Sequence, residues 1–114
     1  MARLTTHVLD TARGIPAAGL RVELFSLGGT RTLLKSAATN ANGRTDEPLL
    51  ADGKAGHYEL LFHVGAYFRT AGVISGDTSF LDQVPVRFAM TEAQGHYHVP
   101  LLVSPWSYTT YRGS

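Results

Sequence analysis

Alternation of apolar and polar residues at period two, repeated over most of the chain, constrains the fold more than any other feature. Leu20, Val22 and Leu24 alternate with Arg21, Glu23 and Phe25. Tyr58, Leu60, Phe62 and Val64 alternate with His57, Glu59, Leu61 and His63. Val84, Val86, Phe88 and Met90 alternate with Pro85, Arg87, Ala89 and Thr91. Tyr97, Val99, Leu101 and Val103 alternate with His96, His98, Pro100 and Leu102. Such alternation predicts strands with one buried face. Turn signals separate them: Gly14-Ile15-Pro16, Gly19, Gly28-Gly29, Asn42-Gly43, Asp52-Gly53, Gly76-Asp77 and Gly95. Asn42-Gly43 is the strongest, because both residues tolerate positive φ. Only residues 66–71 read as helical, with Gly72 placed for a left-handed cap. Many short strands and one short helix predict an all-β sandwich.

The chain has 114 residues, a length that predicts one domain spanning 1–114 and allows a core without staples. It contains no cysteine, which excludes disulfides and thiolate chemistry. Ten basic and nine acidic residues give a net charge of +1 and form no basic stripe, so nucleic acid is not an expected partner. No apolar run approaches the roughly 20 residues that span a bilayer. The first residues lack the apolar stretch of a secretory signal. With Met1 as the natural start, a cytoplasmic location is expected.

Several residues are suited to acid–base chemistry. On a strand, His96 and His98 share one face while Tyr97, Val99 and Leu101 take the other. If the second set faces the core, the histidines face outward beside Pro100 and Leu102. That face is apolar enough to suggest a covering second subunit. Taken alone, such a pair reads more simply as surface or interface histidines. His7 lies in a predicted strand from Arg3 to Leu9, on a face with Arg3 and Thr5; alone it reads as a structural histidine. Zinc accepts three imidazoles and a water, but no second shell is evident around His7, so a metal is not expected. Arg44 follows the Asn42-Gly43 turn and, alone, reads as a solvated arginine paired with Asp46. The end of the sequence, Tyr111-Arg112-Gly113-Ser114, gathers a phenol, a guanidinium and a hydroxyl directly after a strand-like run. Such groups are useful where the last strand runs into a pocket.

Together these segments resemble the 5-hydroxyisourate hydrolase family, the transthyretin-related enzymes of urate breakdown. The resemblance rests on the run from His96 to Pro105, on Tyr108 to Ser114, on Thr6-His7-Val8-Leu9-Asp10 with Gly14-Ile15-Pro16-Ala17, on residues 39–46, and on Phe80 to Phe88. It covers essentially the whole chain. It implies a transthyretin-like β-sandwich of two four-stranded sheets, and a homotetramer built as a dimer of dimers with active sites between dimers. It implies a small purine-derived substrate and no cofactor. Carried over by position, the catalytic residues fall on His7, Arg44 and His98, and the substrate-binding residues on Tyr111, Arg112, Gly113, Ser114 and His96. The implied reaction is hydrolysis of a lactam C–N bond. A carrier of a small ligand, without turnover, is the alternative.

Overall fold

The computed structural model describes residues 2–91 and 95–113. Its elements follow the predicted alternation. The strands are β1 (Ala2–Asp10), β2 (Ile15–Pro16), β3 (Arg21–Ser26), β4 (Thr32–Ala38), β5 (Leu50–Gly53), β6 (Gly56–Phe62), β7 (Val84–Met90), β8 (Gly95–Val103) and β9 (Tyr108–Thr110). The helix α1 spans Val64–Thr70. In β1 the even-numbered residues from Ala2 to Asp10 are buried, and the odd-numbered ones from Arg3 to Leu9 face outward. The inward residues of β3, β6, β7 and β8 complete the core, with Leu24, Leu60, Phe62 and Leu101 fully enclosed. Each such side chain stabilises the fold by roughly 1.5–3 kcal/mol.

The strands form two sheets. One has four strands, ordered β4-β3-β6-β7. The other has five rather than the expected four: β2-β1-β8-β9, with β5 also on β1. The extra strand reflects the length of β1. Its outer edge is shared, with Ala2 and Leu4 paired to β5 and Leu9 and Asp10 paired to β2. Its other edge runs parallel to β8 along the whole strand, from Ala2 opposite Gly95 to Asp10 opposite Val103. Parallel neighbours need a long crossover, and the chain makes it through the entire second sheet.

The helix begins two residues earlier than predicted. β6 ends at Phe62, and Val64 opens the helix instead of extending the strand. Val64, Tyr67 and Phe68 are buried, so the helix caps one end of the sandwich. Gly72, at φ +75, closes it with an N–H bond to the Arg69 carbonyl at 3.0 Å. Asp52-Gly53, read as a turn, lies instead in β5.

Asp10 ends β1 in a closed polar cluster. Its buried carboxylate accepts bonds from Arg13 Nε at 2.9 Å, the Arg13 N–H at 3.0 Å and the Tyr67 hydroxyl at 2.8 Å. Burial alone would raise its pKa. The bonds from Arg13 and Tyr67 outweigh it and hold the carboxyl below its ordinary value.

Candidate active site

The middle of the five-stranded sheet is flanked differently from its ends. On the outer edge of β1, His7 pairs by a single bridge with Arg44, in the gap between β5 and β2. On the far edge of β8, His98 pairs by a single bridge with Gly113, beyond the end of β9. Two loop-borne segments therefore close on the same stretch of β1 and β8 from opposite sides. The outward face between them carries the predicted histidines.

The 40–44 turn delivers Arg44. The Asn40 Oδ1 accepts the N–H groups of Asn42 at 2.9 Å and Arg44 at 3.2 Å, and the Gly43 N–H donates to the Asn40 carbonyl at 2.9 Å. Gly43, at φ +75, lies against β1, where its carbonyl accepts the Val8 N–H at 2.8 Å. A Cβ there would collide with the Val8 carbonyl and lie 3.3 Å from the His7 ring. Only glycine lets the turn approach so closely. The expected pairing of Arg44 with Asp46 does not form, because Asp46 instead accepts the Asn40 side-chain amide at 3.0 Å. Among the described residues the Arg44 guanidinium makes no ion pair. It lines a cleft of about 300 Å³ with Arg3, Thr5, His96 and His98, rimmed by Asp46 and Glu47.

His98 is held from two sides. Its Nδ1 lies 2.8 Å from Thr5 Oγ1. Its Cδ2 faces Gly113, where an added Cβ would come within 2.7 Å. The Gly113 N–H donates to the His98 carbonyl at 2.7 Å, which locks that approach. The Nε2 atom has no hydrogen-bond partner among the described residues. His96 also reaches Thr5, with Nε2 2.7 Å from Oγ1. Parallel register explains the meeting: Thr5 lies opposite His98, and Arg3 opposite His96.

Burial and the Arg44 charge favour the neutral forms of His7 and His98. Burial, then the Arg44 charge, lower the pKa of His7, partly opposed by a hydrogen bond with the Asn42 backbone. Burial lowers that of His98, joined by Arg44, His96 and His7. Lone pairs are thus available at neutral pH, which a general base requires. Among the described residues no three His, Asp or Glu side chains are grouped to hold a metal.

The terminal segment divides between two places. Gly113 is on the His98 side. Arg112 stacks its guanidinium 4.2 Å from the centroid of the Tyr97 ring. With Tyr111 it lines a different groove, about 290 Å³, beside Val86, Phe88 and Val99. Ser114 lies outside the described residues. Thr5 is the site residue the sequence reading missed. Alternation placed it on the face of His7, but only the β1–β8 register brings it to His98.

A profile of the HIUase/Transthyretin family matches residues 4–113. The chain belongs to this family. It is 58% identical to the 5-hydroxyisourate hydrolase of Deinococcus radiodurans, over 97% of this chain and 95% of the relative. It is 59% identical to that of Mesorhizobium japonicum, over 98% and 92%. Among solved structures it superposes on Klebsiella pneumoniae 5-hydroxyisourate hydrolase with a TM-score of 0.84 and 36% identity, covering both chains fully. Sea bream transthyretin in complex with thyroxine also reaches a TM-score of 0.84, at 29% identity over 97% of this chain and 94% of that one. The shared fold is therefore the transthyretin-like sandwich. Fold similarity does not separate carrier from enzyme here, whereas sequence identity places the chain with the family's hydrolases.

Proposed function

We propose that residues 1–114 form one hydrolase domain that opens the six-membered lactam of 5-hydroxyisourate to 2-oxo-4-hydroxy-4-carboxy-5-ureidoimidazoline. The observation that carries this reading is the meeting of Arg44 and His98 in one cleft, with His7 bridged to Arg44 beside it and His98 Nε2 without a hydrogen-bond partner among the described residues. In this reading His98 takes a proton from water as the water oxygen bonds to the lactam carbonyl carbon. Arg44, a planar fork of donors, binds the purine oxygens and stabilises the oxyanion that develops. The C–N bond then breaks, and the proton returns from His98 to the leaving nitrogen. His7, held at the Asn42 backbone, orients water or substrate. His96 lines the same cleft as His98.

The active unit in this reading is a homotetramer. The half-buried Leu102 and the exposed Trp106 and Tyr108 at the end of β8 and in β9 support a covered face. Tyr111 and Arg112 face away from their own His98, so as substrate-binding residues they would act at an interface between subunits. Ser114 completes the segment. A tag fused after Ser114, or removal of residues 111–114, is then expected to reduce activity far more than stability.

The test is the ultraviolet decay of freshly generated 5-hydroxyisourate, with and without the protein, in the presence of a chelator. Acceleration under chelator supports a metal-free hydrolase. No acceleration by an untagged tetramer would overturn the reading in favour of a carrier.

A further inference from the structure

Thr5 Oγ1 lies 2.7 Å from His96 Nε2 and 2.8 Å from His98 Nδ1. A hydroxyl has one proton to donate and lone pairs to accept with. With both rings neutral and the Thr5 proton given to one of them, the three groups have two consistent arrangements. In the first, His98 Nδ1–H donates to Thr5, Thr5 donates to His96 Nε2, and His98 Nε2 carries a lone pair. In the second every proton points the other way, and His98 Nε2 carries a hydrogen. Only the first makes His98 a base towards the cleft.

We propose that Thr5 and His96 are positioning residues that set the tautomer of His98, holding its proton on Nδ1 so that Nε2 faces the cleft as a lone pair. The inference rests on the reading of His98 as the base and reassigns His96 from substrate contact to relay. An imidazole free in water favours the proton on Nε2, so the unusual tautomer needs a partner to impose it. Thr5 is fixed to that task by its register opposite His98. Gly113 packs against the opposite edge of the ring, at Cδ2. The charged groups around the chain of bonds are Arg3 and Arg44, with His7 beside them and Asp46 and Glu47 at the rim.

The relay also balances the proton taken from water. When His98 Nε2 gains it, the Nδ1 proton passes to Thr5 and the Thr5 proton to His96 Nε2. His98 is then neutral and His96 carries the charge. As Nε2–H is given to the leaving nitrogen, the shift reverses and the starting arrangement returns.

The experiment is nitrogen-15 NMR of the histidine rings in the full-length protein at about pH 8.5, where imidazoles are neutral, with steady-state kinetics beside it. Expected for the wild type is a protonated Nδ1 and an unprotonated Nε2 on His98. Thr5→Val should move the proton to Nε2 and lower kcat about 10–100-fold, the loss typical when an orienting partner is removed, with KM nearly unchanged. Thr5→Ser should restore both signatures, and His96→Ala should shift the tautomer in the direction of Thr5→Val. A wild-type His98 protonated on Nε2 would overturn the relay, as would a Thr5→Val protein with unaltered tautomer and kcat. The ring spectra do not depend on turnover. A wild type with the expected tautomer but no hydrolysis would therefore strike the proposed function alone.

Discussion

β1 carries two polar clusters, and they are opposites. At its end, Asp10 is enclosed and satisfied, with Arg13 and Tyr67 on its carboxylate and its charge neutralised. In its middle, His7 and His98 sit beside an Arg44 that makes no ion pair among the described residues, and both imidazoles are pushed towards neutrality. The first cluster stores its interactions within the fold, where removing one costs stability. The second leaves the Arg44 guanidinium without an ion pair and His98 Nε2 without a hydrogen-bond partner among the described residues, at one cleft. In the proposed reaction such groups would meet the carbonyl oxygens and the departing nitrogen of the substrate. The outer edge of β1 also differs between the two: the Asp10 end is paired to the β2 strand, whereas His7 has only a single bridge, to Arg44.

The contrast can be broken or sharpened by substitution. His98→Ala should cost the most activity, about 10²–10⁴-fold, the usual contribution of a general base, with an unchanged melting temperature. Arg44→Gln should lower kcat by about 10²–10³-fold, the cost of losing a donor to a developing oxyanion. Gly113→Ala forces the His98 ring to shift and should cost up to about 10²-fold in turnover, with little change in a urea midpoint. Asp10→Ala should do the reverse, losing about 1.5–3 kcal/mol in denaturant unfolding while leaving turnover per folded molecule intact. The smallest effect concerns pH. A base whose pKa is lowered stays neutral further into acid, so the acid limb of kcat/KM should lie below the ordinary imidazole value of about 6.5. Because Arg44 contributes to that lowering, the limb of Arg44→Gln should move to higher pH. An unmoved limb would mean that Arg44 does not act on the base.

The core was legible because burial writes period two into a strand. The inward sets of β3, β6, β7 and β8, and both faces of β1, were readable from the residues. β4 was not, since it is an edge strand with Leu33 and Leu34 both about half exposed, at 49% and 45%. β5 was hidden because four residues are too few to show a period, and Asp52-Gly53 mimics a turn. In the site, His7, Arg44 and His98 were legible through resemblance; Arg44 and His98 line one cleft, and His7 is bridged to Arg44 beside it. Thr5 was illegible because its meaning lies in a parallel register spanning more than 90 positions. Gly113 was legible as a residue of the terminal motif, but its packing against His98 was not.

The most direct test of the account is to measure turnover of 5-hydroxyisourate and thermal stability side by side for His98→Ala and Asp10→Ala. The account predicts that the two separate, with His98→Ala folded and nearly inactive and Asp10→Ala less stable and fully active below its melting transition. A His98→Ala protein that retains wild-type turnover, with its fold intact, would contradict it.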